Sequence, residues 1–429
     1  MKSSVIIIIC FFLVLFSCNL EGIQNVVLQG EPVAKTVLQV SFDQPGPQLQ
    51  CKYTWSVADS KDGEWTELPG IHSAEIVLLT DYVGKFLKCE IMPVQEDGSN
   101  GKPVSVVTGS PIVYQGNPNT DWFKEAGVGV MLHFLKDIFA KSGGSKEWND
   151  AVDKFDVERF AENCREAGAG YVMFALGQND GYYCSPNAAY DSIVGVKPGD
   201  LCSTRDLPAD LFNALEKRGI RMMFYLPGNP PIRNELADEK FQYTFGKDSP
   251  TSQFTQACWE AVIREWSLRY GKKNSGWWFD GMYHGGIIET RSDMSLEHNI
   301  STHTLAAKAG NFSSIVCYNY GVNTIQTDSP YDDYSAGEEN NIGQLPENRW
   351  VVDGAQWFLF TYLGKWWGDG RTRYNTAELT DWAEKVFEKE GVLCFDIHAD
   401  NTGAINPEQI AQVKAVKEKF EIVKSNLHN

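Results

Sequence analysis

Polar side chains close several apolar runs in the C-terminal three quarters of the chain: His133, Asn179 and Asp180, Tyr225, Asp280, Asn319 and Asp396. One such residue could be no more than a cap for the next helix. The same pattern in run after run points to convergence on one face, as at the C-terminal ends of barrel strands. Asp280 follows Gly276-Trp277-Trp278-Phe279 and precedes Gly281. A carboxylate at a rigid strand end, walled by aromatic rings, suits attack on the anomeric carbon of a sugar, and the glycine leaves a ligand room to approach. A helix cap or a buried structural acid is the other reading of Asp280 by itself. Glycoside hydrolysis needs a second carboxylate to move the proton. The stretch Tyr331-Asp332-Asp333-Tyr334-Ser335-Ala336-Gly337-Glu338-Glu339-Asn340 is acidic and rich in turn residues. Adjacent like charges raise one pKa, which suits a general acid. From the residues alone, this stretch fits a solvated acidic loop or a calcium site equally well.

The elements that must hold these residues alternate. Apolar runs at 129–133, 171–176, 220–225, 277–279, 314–319 and 392–397 read as buried strands. Helical periodicity fills the intervals: Asp156 caps a helix with Val157, Phe160, Ala161 and Cys164 on one face, and further helices span 208–218, 251–270, 302–309, 377–390 and 407–420. Strand–helix repetition over residues 121–429 predicts an α/β fold, either a (β/α)8-like TIM barrel or a doubly wound sheet. No G-x-G-x-x-G follows a strand, which disfavours a dinucleotide fold.

Residues 25–115 read differently. Short alternating runs at 37–40, 52–55 and 75–78 are separated by turn clusters such as Gln44-Pro45-Gly46-Pro47, the pattern of a small β-sandwich. Cys51, Tyr53 and Trp55 share one strand face. Gly116-Asn117-Pro118-Asn119 then marks a linker. The formal net charge of -18, with no long basic cluster, argues against nucleic acid as a partner. Cysteines lack C-x-x-C spacing, so a zinc site is not expected, and no motif calls for a cofactor.

Residues 1–18 read as a signal peptide: Lys2 supplies positive charge, and 5–16 is an apolar run shorter than a membrane span. The ending Leu15-Phe16-Ser17-Cys18 resembles a bacterial lipobox, which implies lipidation at Cys18. The expectation is an exported lipoprotein of the bacterial cell envelope, periplasmic or outer-membrane-anchored, that meets a membrane only through that anchor. Export makes a disulfide between Cys51 and Cys89, joining the two sheets of the sandwich, the expected pairing.

Several stretches resemble the α-L-fucosidases of glycoside hydrolase family 29, in the same order. They are Asp121-Trp122-Phe123-Lys124-Glu125-Ala126, Val130-Met131-Leu132-His133-Phe134, Glu147-Trp148, Ala167-Gly168-Ala169-Gly170-Tyr171-Val172, Asp180-Gly181, Arg205-Asp206-Leu207, Trp278-Phe279-Asp280-Gly281, Trp367-Gly368, and the segments at 391–393 and 400–405. The approach to a late strand at 79–86 resembles bacterial immunoglobulin-like modules. The resemblance implies a retaining exo-glycosidase acting on a glycan, with Asp280 as nucleophile. Tyr334-Ser335-Ala336-Gly337-Glu338 resembles the family's Tyr-x-Thr-Pro-Glu, which implies Glu338 as acid/base, with Glu339 as the alternative if the alignment slips by one. His133, Trp148, Gln178, Asn179, Tyr225, Trp278 and Trp367 would then meet the sugar. Two departures bear on which sugar. The family's Lys-His-His-Asp-Gly is Gly177-Gln178-Asn179-Asp180-Gly181 here, and Trp-Gly after the histidine is Phe134-Leu135. A glycosidase for another sugar, such as a galactoside, and a carbohydrate-binding protein without turnover are the competing expectations.

Overall fold

The computed structural model describes residues 23–43, 50–95, 97–243, 252–284, 287–323, 325, 327–352 and 354–427. The leader and Cys18 lie outside the described residues. No described helix is long and apolar enough to cross a membrane.

The N-terminal module is a two-sheet sandwich. Strands β1 (Gln24–Gln29), β2 (Val37–Asp43), β3 (Gln50–Ala58), β4 (Thr66–Glu67), β5 (Glu75–Val77), β6 (Phe86–Val94) and β7 (Val104–Val107) form antiparallel sheets ordered β1-β2-β5 and β4-β3-β6-β7. Alternation is clean along β6, where Leu87, Cys89 and Ile91 are buried and their neighbours are partly exposed. Trp55 fills the space between the sheets and donates from Nε1 to Ser73 O at 2.9 Å.

The expected Cys51–Cys89 disulfide does not form, and both thiols are free. The two cysteines lie on neighbouring strands of one sheet, not on facing sheets. Cys51 pairs in register with Pro93 and Cys89 with Trp55. That offset is about 14 Å along the strands, against a Cα separation of no more than about 7 Å for a disulfide. Burial raises both thiol pKa values, Cys89 to about 12, so neither is a reactive thiolate. Reductant should therefore leave the melting temperature unchanged, and both thiols should titrate once the chain is unfolded without reductant. A lower Tm on reduction would contradict this register.

The larger unit is built on seven parallel strands: β8 (Val128–Leu132), β9 (Tyr171–Ala175), β10 (Arg221–Pro227), β11 (Asn274–Asp280), β12 (Ile315–Tyr318), β13 (Phe358–Tyr362) and β14 (Val392–Ile397). Their order is β12-β11-β10-β9-β8-β14-β13. Helices connect them on the outside. Val157–Ala167, for example, starts at the Asp156 side-chain cap and ends at Gly168, which adopts a left-handed conformation. Strand β13 was missed by the reading of apolar runs. It is short, and it follows a turn-rich stretch with no helix before it.

The sheet closes through residues 332–339, the segment whose composition suggested an acidic loop. It runs as an irregular strand between the sheet's two edges. Against β13, Ser335 N donates to Gln356 O (3.0 Å), Phe360 N to Gly337 O (2.7 Å) and Glu339 N to Phe360 O (2.9 Å). Against β12, Asp333 N donates to Val316 O at 2.7 Å. Two carboxylates finish that side in place of main-chain carbonyls. Asp333 Oδ2 accepts from Val316 N at 2.9 Å, and Asp332 Oδ1 accepts from Tyr318 N at 2.8 Å. Gly337 has φ +58°, and a Cβ there would stand 2.0 Å from Phe358 O, so only glycine fits this close approach. The result is a TIM-like architecture of seven parallel strands and an irregular closing segment, behind an immunoglobulin-like sandwich.

Candidate active site

Side chains alternate along a strand, so every second residue points into the barrel. Met131, Met173, Met223, Trp278, Cys317, Tyr334, Ala336, Phe358, Phe360 and Cys394 belong to one buried apolar cluster there. Two residues further toward the C-terminal ends, the same faces carry His133, Asp280, Asn319, Glu338 and Asp396. The polar cluster is therefore a second layer stacked on an apolar floor, and it stands at the end of the barrel where barrel enzymes build their sites.

Asn319 joins two acids. Its Nδ2 donates to Asp280 Oδ1 at 2.9 Å and to Glu338 Oε2 at 2.6 Å. Oxygens that share one nitrogen at those distances lie within the roughly 5–5.5 Å carboxyl spacing of retaining glycosidases. The other oxygen of Asp280 accepts from Tyr225 OH at 2.5 Å, and Gln178 Nε2 donates to the same hydroxyl. Tyr225 stacks on Trp278 with centroids 5.3 Å apart. Burial, then the negative charge of Asp280, push the Glu338 pKa up to about 7, against the opposing hydrogen bond from Asn319. One acid is thus poised near neutrality beside another at bonding distance from a tyrosine.

The period-two rule also separates the neighbouring glutamates. Glu338 shares the inward face with Tyr334 and Ala336, whereas Glu339 faces away and accepts from Gln344 Nε2 at 2.5 Å. His133 is held by Asp396, Nδ1 to Oδ1 at 2.6 Å, while Gly368 N binds the other oxygen of that carboxylate. Its ring lies 5.4 Å from Tyr225 and 5.7 Å from Trp367, centroid to centroid. With the proton on Nδ1 facing the buried carboxylate, Nε2 is left for a ligand.

Two of the expected sugar-contacting residues are elsewhere. Trp148 is fully buried behind the barrel wall, 5.5 Å from Phe134, and its Nε1 is used by Tyr183 O at 3.0 Å. Trp278 is in the floor, with Nε1 on Ala336 O at 3.0 Å, and it supports the strand that carries Glu338. Gln178 and Asn179 both line the cleft with Asp280, Gly281 and Tyr283, and Gln178 also donates to Tyr225. Asp180, pushed up to about 6 by burial, closes the local turn by accepting from Tyr182 N.

The sequence reading placed Asn319 and Asp396 among the strand ends that converge on the site without assigning either a role in it. Tyr283 was missed altogether. Its hydroxyl is hydrogen-bonded to Asp280, and burial raises its pKa. The one signal for it was its place three residues beyond Asp280. A cavity of 560 Å³ lies at the opposite end of the barrel, lined by Lys124, Arg349, Phe387, Phe420 and Lys424. It holds none of the acids described above, so chemistry rather than cavity size locates the site. Among the described residues no group of three or more His, Cys, Asp or Glu could hold a metal ion.

The α-L-fucosidase family model matches residues 145–420, and the AIR9 A9 immunoglobulin-like domain model matches residues 22–108. No curated protein matches the chain. Among solved structures, the endo-fucoidan hydrolase MfFcnA4 of glycoside hydrolase family 107 superposes with TM-score 0.54 at 13% identity, over 70% of this chain and 53% of its own. The endo-fucoidan hydrolase P5AFcnA gives 0.50 at 15% identity over 70% and 92%. A family 29 α-L-fucosidase from Bacteroides thetaiotaomicron gives 0.48 at 15% identity over 71% and 73%. The chain thus spans about half the length of the first of these structures and most of the second, and at such identities the likeness is one of fold. With its family model covering well over half of the sequence, the chain belongs to the α-L-fucosidase family of glycoside hydrolases.

Proposed function

We propose that the protein is a retaining exo-glycosidase that releases a terminal α-L-fucosyl, or closely related, residue from a glycan. The observation that carries this reading is the Asn319 amide shared by Asp280 and Glu338. Asp280 attacks the anomeric carbon. The bond to the leaving oxygen breaks as Glu338 gives that oxygen its proton, and a glycosyl ester on Asp280 remains. Glu338, now ionised, takes a proton from water. The water oxygen attacks the anomeric carbon, and the ester bond breaks to return the Asp280 carboxylate. Tyr225 and Tyr283 hold the nucleophile through their hydroxyls. His133 and Trp367 are the groups placed to meet the sugar. The family match and the fucosidase and fucoidan hydrolase neighbours support fucose as the sugar class.

Asn179 is the specificity position. Its side chain offers two donors and an acceptor with a shorter reach than an imidazole. A pocket built to hydrogen-bond particular hydroxyls rejects sugars that leave its polar groups unpaired. Weak turnover of simple aryl α-L-fucosides and better turnover of a larger or modified fucosylated glycan are expected. Asn179→His should change the ratio of activities between sugars without changing stability. A panel of aryl α-L-fucosides, α- and β-galactosides and fucosylated oligosaccharides tests the proposal. Preferred turnover of a galactoside would replace the sugar assignment, and binding with no turnover on any member would replace the enzyme reading with that of a lectin.

A further inference from the structure

Lys35 belongs to the immunoglobulin-like module, yet it is 1% exposed and its ammonium reaches into the barrel. Nζ donates to Pro330 O at 2.7 Å and to Asp332 O at 3.1 Å, where the chain enters the strand that closes the barrel. Its own carbonyl accepts from Asn119 Nδ2 at 2.8 Å, in the linker between the two units. Asp332 is buried in turn, and its carboxylate brackets Asn319. Oδ1 accepts from Tyr318 N at 2.8 Å and Oδ2 from Tyr320 OH at 2.5 Å, one residue to each side. Asn319 is the residue whose amide joins Asp280 and Glu338. Burial pushes Asp332 up to about 8, and the bonds from Tyr320 and Tyr318 and the charge of Lys35 oppose that push. The linker adds a parallel strut: Asn117 Nδ2 donates to Asp333 Oδ1 at 2.8 Å, while Lys308 holds the other oxygen of Asp333 at 2.7 Å.

We propose that Lys35 is a positioning residue for the active site, acting through Asp332 on Asn319, so that the immunoglobulin-like module is an integral part of the catalytic unit. The inference rests on the acid/base reading of Glu338. Asp280 keeps Tyr225 if Asn319 moves, whereas the carboxylate of Glu338 is held by Asn319. Acid assistance should therefore suffer before nucleophilic attack does. A positional error near 1 Å can cost about a hundredfold in rate.

The test is Lys35→Met in the full chain, assayed on two aryl glycosides of the sugar the wild type turns over, one with a good and one with a poor leaving group. Glu338→Ala is run beside it. We expect kcat on the poor leaving group to fall roughly ten- to a hundredfold and kcat on the good one to stay within about threefold, with Lys35→Arg restoring most of the loss. Equal loss on both substrates, or no loss on either, would overturn the proposal. If Glu338→Ala shows no dependence on leaving group, the acid/base assignment fails instead, and hydrogen exchange decides the present question. Lys35→Met should then speed exchange at residues 318–320 and 332–339 above the rest of the barrel, and uniform exchange would refute it. If Lys35→Met does not fold, Tyr320→Phe, which removes only one hydroxyl from Asp332, is judged by the same criteria with a smaller expected effect.

Discussion

Asp280→Asn should fold as the wild type does and lose turnover by roughly three to five orders of magnitude, about 4–7 kcal/mol of transition-state stabilisation. The substitution keeps the volume of a side chain that is outside the apolar core, and its oxygen can still accept from Tyr225 OH. What disappears is the charge that attacks the anomeric carbon. The new amide would also face the Asn319 amide, setting donor against donor where a 2.9 Å hydrogen bond stood. That mismatch costs about 1–3 kcal/mol in a buried site, too little to unfold a domain of this size but visible in a melting curve. Substrate affinity should hold, so the loss belongs in kcat. Asp280→Gly opens space for azide, and the product should be a glycosyl azide of the anomeric configuration opposite to the substrate's. A variant with near wild-type kcat would remove Asp280 from the chemistry.

Glu338→Ala should behave in the complementary way. Turnover of substrates with poor leaving groups should drop by about 10²–10⁴-fold, and that of good leaving groups much less. Azide should rescue it by attacking the glycosyl ester, and the azide product should keep the configuration of the substrate. If Glu339→Ala shows this behaviour and Glu338→Ala does not, the inward and outward faces of residues 332–339 are exchanged. The pH profile gives a second check. The reaction needs Glu338 protonated on the free enzyme, and its pKa is raised to about 7, so kcat/KM should fall as pH rises through that value. Stability carries the same signature. The folded state keeps this proton from the ordinary carboxyl range up to about 7 while the unfolded chain has lost it. Stability from this group is therefore full at low pH and declines as pH rises through that window. Glu338→Gln should abolish that decline and melt higher than the wild type above pH 7. A flat wild-type profile across this window would show that the carboxyl is not held protonated.

Local pattern alone determined much of this protein. The parallel strands read as apolar runs because both of their faces are buried. Their terminal polar residues stood out because a barrel interior tolerates such groups only where its strands end. Helix starts such as Asp156 and helix stops such as Gly168 were legible because caps are satisfied within a few residues of chain. Asp280 was visible for the same reason, since its strand, its aromatic neighbours and its glycine are contiguous. Once residues 332–339 are known to be a strand, period two alone assigns Glu338 inward and Glu339 outward. That they form a strand was decided by tertiary structure. Their hydrogen bonds go to β12 and β13 and are partly made by the carboxylates of Asp332 and Asp333, whose sequence looks like a solvated loop. Register between distant strands set Cys51 four residues from the partner of Cys89, which no spacing in the sequence reveals. Packing behind the wall took Trp148 out of the site, because a tryptophan beside a barrel serves core and pocket equally well as far as sequence can tell. Asn319 shared by two acids, and Lys35 reaching across from another module, are contacts between segments far apart in the chain. Sequence supplies the residue types for such contacts, but only the closed barrel brings them to hydrogen-bonding distance, where low dielectric and lost water set the pKa of Glu338.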